Sequence, residues 1–276
     1  MGEYQGGVES TMTTLTRHWS ACLRVLKKSP YWAPLISAVV LLMAWQLVSM
    51  SVSQVILPAP ARVATSFMAL TQSGELPLAV LVTIWPFLEG LALAFVVGVS
   101  AGLLLGLCPT LARLVDPYIF IFWSTPNVAL LPLIIVWFGI GHVAQVVFVF
   151  LSALFPLIIN TEAGVRQVES SLVEVVRSLG GNKRETLRIV VIPSTVPFIF
   201  SGLRIAIGRS IVGIIIAQLL IVATGIGYML QFYGETLQLH KYFAPLIVTA
   251  LLAVAINQVV GFVERKLVRW KQQAFV

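Results

Sequence analysis

The segment from residue 174 to residue 197, EVVRSLGGNKRETLRIVVIPSTVP, concentrates charge in a chain that is otherwise strongly apolar. Six of the fifteen positions from 174 to 188 are charged, and both signs are present: Glu174, Arg177, Lys183, Arg184, Glu185 and Arg188. Closely spaced charges of both signs can form ion pairs and hydrogen bonds with another protein surface. Gly180, Gly181 and Pro193 interrupt the segment, which suggests short elements joined by a turn.

Polar side chains within the apolar runs form a second group of candidates. A polar group in hydrocarbon is costly, so such residues face a neighbouring helix or a water-filled path. Arg209 lies deep enough in its run to contact an anion. For the three amides, hydrogen bonding between helices is the alternative to a role in transport. The candidates for a translocation pathway are Asn127, Asn160, Arg209 and Gln218.

Several other chemistries are excluded by context. The stretch 98–102, GVSAG, matches the nucleophile-elbow pattern, but its serine lies within an apolar helical run instead of a strand–turn–helix. Cys22, Cys108 and three scattered histidines make no metal-binding spacing. No G-x-x-x-x-G-K-[ST] segment is present, so this chain cannot cradle ATP phosphates. We therefore expect no catalytic residue, no metal site and no cofactor in this chain.

The composition indicates a membrane protein. Hydrophobic residues make up 58% of the chain, charged residues 11%, and the mean hydropathy is +0.95, whereas soluble domains carry about 25% charged residues. A helix needs roughly 20 apolar residues to span a bilayer. Apolar runs of suitable length occur at about 33–50, 83–107, 117–139, 143–161, 199–223 and 243–263. The predicted fold is an all-α integral membrane protein of about six transmembrane helices.

The distribution of Lys and Arg predicts the orientation. Fourteen lie in the N-terminal segment, in the 108–116 and 162–193 loops and in the tail after 263, against two, Arg62 and Lys241, in the alternate connections. The positive-inside rule then places both termini and the 162–193 loop in the cytoplasm. The predicted organisation is a cytoplasmic segment 1–32, a transmembrane domain 33–263 and a basic tail 264–276. This bias and the attraction to anionic lipid headgroups explain the net charge of +7, so the charge does not indicate binding to nucleic acid.

A ridge of small residues follows the second apolar run at every fourth position: Gly90, Ala94, Gly98, Gly102 and Gly106. Small residues at this spacing let two helix backbones approach closely in a membrane. We predict an internal packing face, with a seam between two copies of the chain as the alternative.

The 162–193 loop has the pattern of two short helices. Apolar residues at 165, 168, 172, 175 and 179 predict an amphipathic helix that ends at Gly180-Gly181. Asn182 and Glu185 have capping-box spacing and start a second helix, which Pro193 is expected to close. Two helices joined by a glycine turn would form a docking element for a partner. The alternative is an interfacial loop that binds lipid headgroups.

This loop resembles the EAA loop of permease subunits in bacterial ATP-binding cassette importers, E-A-A, three residues, G, nine residues, I-x-L-P. The spacing agrees throughout, with apolar substitutions at both alanines, the first isoleucine and the leucine. Four further stretches resemble the nitrate, sulfonate and taurine branch of that family. The residues that carry the resemblance are Glu174-Val175-Val176, Gly180, Val190, Ile192, Pro193, Leu57-Pro58-Ala59-Pro60, Trp137-Phe138-Gly139-Ile140-Gly141, Gly202-Leu203-Arg204-Ile205 and Gly225-Ile226-Gly227.

The resemblance implies a mechanism and partners. In such importers two permeases form the pore, ATPase subunits bind ATP and Mg below it, and a periplasmic or extracellular binding protein delivers the solute. The loop would dock on the ATPase through Glu174, Arg177, Gly180, Gly181 and Pro193. The expected function is a permease subunit of the inner membrane with a homodimeric pore, and the expected solute is small: an anion such as nitrate or a sulfonate, or else taurine or a similar compound. The alternative is a self-sufficient secondary transporter or channel.

Overall fold

The computed structural model describes residues 32–220 and 224–268, so the predicted N-terminal segment and most of the basic tail lie outside the described residues. All regular elements within these two ranges are helical. They are α1 Trp32–Ser51, α2 Pro60–Gln72, α3 Glu75–Leu107, α4 Pro109–Ser124, a 3₁₀ turn Asn127–Leu130, α5 Leu131–Phe138, α6 His142–Arg166, α7 Ser170–Ser178, α8 Lys183–Thr186, a π-helical turn Leu187–Val191, α9 Ile192–Leu220, α10 Gly225–Glu235 and α11 Leu239–Leu267.

Four helices are long and apolar enough to cross a membrane: α3, α6, the continuous helix Lys183–Leu220 and α11. A fifth candidate consists of α4 and the helical segment 127–138, which are bent by 93° relative to each other. The first predicted run, 33–50, corresponds to a shorter apolar helix, Leu35–Ser51. The all-α membrane fold is thus confirmed, with four or five full spans and one shorter apolar helix.

The chain divides into two compact units, residues 1–64 and 65–276. In the described part of the first unit, the Trp45 indole N–H donates a hydrogen bond to the Pro58 carbonyl at 3.2 Å. Pro60 then begins α2, where its missing N–H needs no partner. The 57–60 motif therefore turns the chain out of α1 into a helix that the hydropathy pattern did not predict.

The core of the second unit is built on α3, α6 and α9. A β-carbon added at Gly90, Gly98, Gly102 or Gly106 would lie 2.5 to 2.8 Å from atoms of α6, and Ala94 is fully buried. At these distances only glycine fits. The small-residue ridge of α3 therefore lies against α6, inside the chain. The adjacent face of α6 packs on α9, where Gly202 meets Asn160 and Gly213 meets Ser152.

α10 completes the core beside the start of α3. The Tyr233 hydroxyl donates a hydrogen bond to Glu75 Oε2 at 3.1 Å. Burial, followed by this bond to a carboxylate, raises the pKa of Tyr233 to about 12. The phenol therefore stays protonated and remains a donor at physiological pH.

Two predicted boundaries around the charged loop are wrong. The fourth span does not end at 161, because α6 continues to Arg166, so Val165 is buried in the span and the amphipathic helix begins only at Ser170. Pro193 does not close the second short helix, because the helix runs on from Lys183 to Leu220. The π-helical turn 187–191 lies directly before Pro193. Such a turn widens the helix and relieves the clash between a proline ring and the preceding turn.

Candidate functional site

The charged loop folds as two helices joined by a defined glycine turn. α7 ends in a Schellman motif, with hydrogen bonds from Gly180 N to Arg177 O and from Gly181 N to Val176 O, both at 2.9 Å. Gly180 has φ +83°, and nothing lies within 4 Å of an added β-carbon. At Gly181 an added β-carbon would lie 2.5 Å from Val176 Cγ1. Gly180 is thus required because its left-handed backbone conformation favours glycine, and Gly181 because a side chain would not fit beside Val176.

The second helix starts at the predicted capping box. Asn182 Oδ1 accepts hydrogen bonds from the backbone N–H groups of Arg184 and Glu185, at 2.9 and 3.0 Å. The Glu185 carboxylate accepts the Asn182 N–H at 2.7 Å. Both halves of the capping box are therefore present, and they fix the direction in which the chain leaves the glycine turn.

The surface of α7 has no partner among the described residues. Leu172, Val175 and Leu179 are 46%, 54% and 82% exposed. Glu174 and Arg177 are also exposed, and neither forms an ion pair within the described ranges. An apolar stripe beside free charges of both signs is suited to contact another protein. Pro193 lies in α9 beyond the π-helical turn and does not belong to this surface.

The break between α4 and α5 forms one wall of a cavity. Thr125 precedes a proline, which disfavours helical backbone, and it adopts an extended conformation with ψ 132°. Pro126 is also extended, and the chain resumes as a 3₁₀ turn at Asn127. The sharp turn exposes a cavity of about 620 Å³ between this segment, α6 and α9. The bend at Thr125 and Pro126 therefore interrupts the predicted apolar run 117–139.

Two of the pathway candidates meet in this cavity. Arg209 and Asn127 both line it, together with Trp123, Ser152, Gly208 and Gly213 among others. The Arg209 guanidinium lies 3.6 Å from the centroid of the Trp123 ring. Asn127 Nδ2 donates a long hydrogen bond of 3.4 Å to Ser152 Oγ. Among the residues that the structure describes, no Asp or Glu lines the cavity, so this part of the wall carries one positive charge.

The sequence did not single out Trp123 and Ser152. Ser152 is a polar residue within an apolar run, so the criterion that selected Asn160 would also have found it. Trp123 has no comparable signal, since only the bend at Pro126 brings it to Arg209.

Gln218 does not line this cavity, and its place in a pathway stays a prediction. The side chain is fully buried. Its Nε2 donates to Gln145 Oε1 at 3.2 Å, while its Oε1 accepts the Gly227 N–H at 3.1 Å. Thr83 Oγ1 lies 3.0 Å from the same oxygen and accepts the Ile226 N–H at 3.0 Å. Gln218 thus ties the first turn of α10 to α3, α6 and α9.

Asn160 is also separate from the cavity. Its Nδ2 donates to the Pro156 carbonyl of its own helix at 2.8 Å, and its Cβ packs against Gly202. Its Cβ therefore belongs to the packing of α6 on α9, while its hydrogen bond stays within α6 and does not join two helices.

A charged cluster joins α4 to the end of α6, just before the charged loop. Arg166 pairs with Asp116 at 3.1 Å and with Glu162 at 2.5 Å. Glu162 is 7% exposed. The sequence had placed Glu162 in the loop, whereas it lies in the last turn of the α6 span. Since α4 leads into the cavity wall and α6 into α7, this cluster connects the two candidate sites.

Residues 94–270 match the family of binding-protein-dependent transport system inner membrane components. This chain belongs to that family. It is a multi-pass protein of the inner membrane, and the family acts together with an ATPase and a substrate-binding protein. The resemblance found in the sequence is confirmed.

Relatives share most of their length with this chain. The aliphatic sulfonates transport permease protein SsuC of Escherichia coli is 34% identical over 94% of this chain and 96% of its own, and that of Bacillus subtilis 30% identical over 89% and 90%. The nitrate import permease protein NrtB of Synechococcus elongatus is 31% identical over 76% and 79%. A structure of the MetNI methionine ABC transporter aligns with TM-score 0.58 at 21% identity, covering 72% of this chain and 97% of that chain. This likeness supports the fold alone.

Proposed function

We propose that the chain is the permease subunit of an ATP-driven importer for a small anion, that two copies form the pore, and that α7 docks on a separate ATPase that hydrolyses ATP. The solute class is inferred from the wall of the Arg209 cavity. Among the described residues, this wall has one guanidinium and no carboxylate, which suits a singly charged oxoanion. The names of the relatives, which refer to sulfonates and nitrate, support the same class.

Trp123 orients Arg209 for this task. A guanidinium stacked on an aromatic ring keeps its edges free for hydrogen bonds, and a planar fork matches two oxygens of an oxoanion. Asn127 and Ser152 add polar groups on the neighbouring wall, while Phe148, Val212 and Ile216 supply apolar surface for a short carbon chain. The cavity can therefore accept an anion that carries an alkyl group.

The exposed stripe of α7 supports the coupling proposal. Leu172, Val175 and Leu179 would enter a groove of the ATPase, with Glu174 and Arg177 at its rim. Movement of the ATPase would reach the spans through α6 and through the cluster around Arg166 as a rigid-body displacement. The family match argues against a self-sufficient transporter or channel. The predicted topology, with both termini and α7 in the cytoplasm, is part of this proposal.

The proposal is tested by ATP hydrolysis of the purified complex with its binding protein. Ethanesulfonate and nitrate should stimulate hydrolysis, while the neutral analogue ethanol should not. Arg209→Lys keeps the charge but loses the fork and the stack, so we expect the solute concentration for half-maximal stimulation to rise about tenfold or more. Unchanged stimulation in Arg209→Lys and in Arg209→Gln would remove the anion site from the proposal.

A further inference from the structure

A second polar cavity lies between α9 and α11, and it shares no lining residue with the Arg209 cavity. Its volume is about 370 Å³. α9 contributes Arg204, and α11 contributes Ala253, Val254, Asn257, Gln258, Gly261 and Arg265. The proposed transport function uses none of these side chains.

The two arginines converge on a space that exists because residue 261 is glycine. A β-carbon placed on Gly261 would lie 3.3 Å from Arg204 Nη2 and 3.8 Å from Arg265 Nη1. Two guanidinium nitrogens from different helices are thus within 4 Å of one point. A group with several acceptor oxygens placed near that point can receive hydrogen bonds from both.

The local charge leaves one cation uncompensated. Arg204 forms an ion pair with Glu264 on α11. Arg265 forms no ion pair with any residue in the described ranges. Two arginines against one carboxylate give the cavity a net charge of +1, which suits an anionic ligand.

The position of the cavity points to a lipid as the source of the anion. Arg265 lies two residues beyond the end of the apolar run 243–263, where a span meets the headgroup layer. Val254 lines the cavity and is 58% exposed, and Phe262 on the same helix is 63% exposed. This apolar surface can contact acyl chains while the arginines hold a headgroup. Basic pockets between spans on the cytoplasmic side bind such headgroups.

We propose that the Arg204–Gly261–Arg265 cavity binds the phosphate of an anionic phospholipid of the cytoplasmic leaflet. The arginines donate to the phosphate oxygens, the absent side chain of Gly261 leaves room for them, and the acyl chains lie along Val254. The site is independent of the transported solute.

The full-length chain, purified in detergent, is titrated with phosphatidylglycerol, phosphatidylcholine and inorganic phosphate, and binding is followed by native mass spectrometry. Phosphatidylglycerol should bind about tenfold or more tightly than either other probe. Arg265→Gln removes one donor, and Gly261→Val fills the space without changing any charge. Both should weaken phosphatidylglycerol binding about tenfold. Lys266→Gln, which removes a neighbouring charge outside the cavity, should bind as the wild type does.

Three results would overturn the proposal: equal affinity for the two lipids, unchanged binding in Gly261→Val, or inorganic phosphate binding as tightly as phosphatidylglycerol. The last would assign the cavity to a soluble anion. Circular dichroism and gel filtration establish that each variant is folded. Should Gly261→Val fail to fold, Gly261→Ala introduces the same 3.3 Å contact with a smaller side chain and tests the same point.

Discussion

Replacing Gly180 by valine tests the glycine turn separately from every other feature of the permease. The residue has φ +83°, and nothing lies within 4 Å of an added β-carbon, so valine is opposed by backbone conformation and not by a clash. For an L-residue the left-handed conformation costs roughly 1–2 kcal/mol, and more when the side chain is β-branched. A cost of that size lowers the population of the native turn by about 5- to 30-fold.

The consequence should be confined to coupling. The spans are untouched, so Gly180→Val should insert and fold as the wild type does. Loss of the Schellman motif misaligns α7 relative to α8, so the ATPase should co-purify poorly or should hydrolyse ATP without solute movement. Gly180→Asn is the matched control, because asparagine tolerates the left-handed conformation, and it should behave as the wild type.

The assay measures ATPase co-purification and solute uptake in the same membranes. Wild-type values of both for Gly180→Val would refute the docking role of α7. That result would favour the interfacial lipid-binding loop, which tolerates a bent helix.

Three further predictions concern packing and topology. Gly102→Leu should lower the free energy of unfolding of the purified chain by about 1–3 kcal/mol or prevent folding, because the added β-carbon alone would lie 2.6 Å from the Ile158 carbonyl oxygen. An unchanged melting temperature would contradict the packing of α3 on α6. Gln218→Leu removes the hydrogen-bond partner of the Gly227 N–H and of Gln145 Oε1, so we expect a loss of about 1–3 kcal/mol in the same measurement. A residue that acted only in the pathway would change transport without changing stability. In a background without the native cysteines, Ser73→Cys should react with an impermeant thiol reagent from outside and Lys183→Cys only after permeabilisation, and the reverse pattern would invert the topology.

Local sequence patterns predicted the elements that are governed by local physics. Hydropathy located the apolar helices, because each span must bury its backbone and side chains in hydrocarbon. The capping box at Asn182 and the glycine turn at 180 were predicted because a few adjacent residues determine both. The spacing of small residues predicted the face that packs on α6, since close approach requires the absence of side chains at every fourth position.

Properties that depend on residues distant in the sequence could not be predicted in this way. The hydrogen-bond partners of Gln218 could not be predicted, because a buried amide looks the same in sequence whether it faces a solute or the start of α10. Its partners, Thr83, Gln145 and Gly227, are far away in the sequence or in a helix that hydropathy did not predict. The stacking of Arg209 on Trp123 depends on the 93° bend. The sequence predicts that Pro193 ends a helix, because the π-helical turn that accommodates this proline has no sequence signal.

Uptake into proteoliposomes that contain the complete complex tests the central claim most directly. Radiolabelled ethanesulfonate, added outside with the binding protein, should accumulate when ATP is present on the side of α7. Vesicles containing this chain without the ATPase should accumulate none, and replacing ATP by a non-hydrolysable analogue should abolish uptake by the complex. Arg209→Gln should reduce ATP-driven uptake while the ATPase remains bound. Concentrative uptake by this chain alone would contradict the assignment as a permease subunit that depends on a separate ATPase.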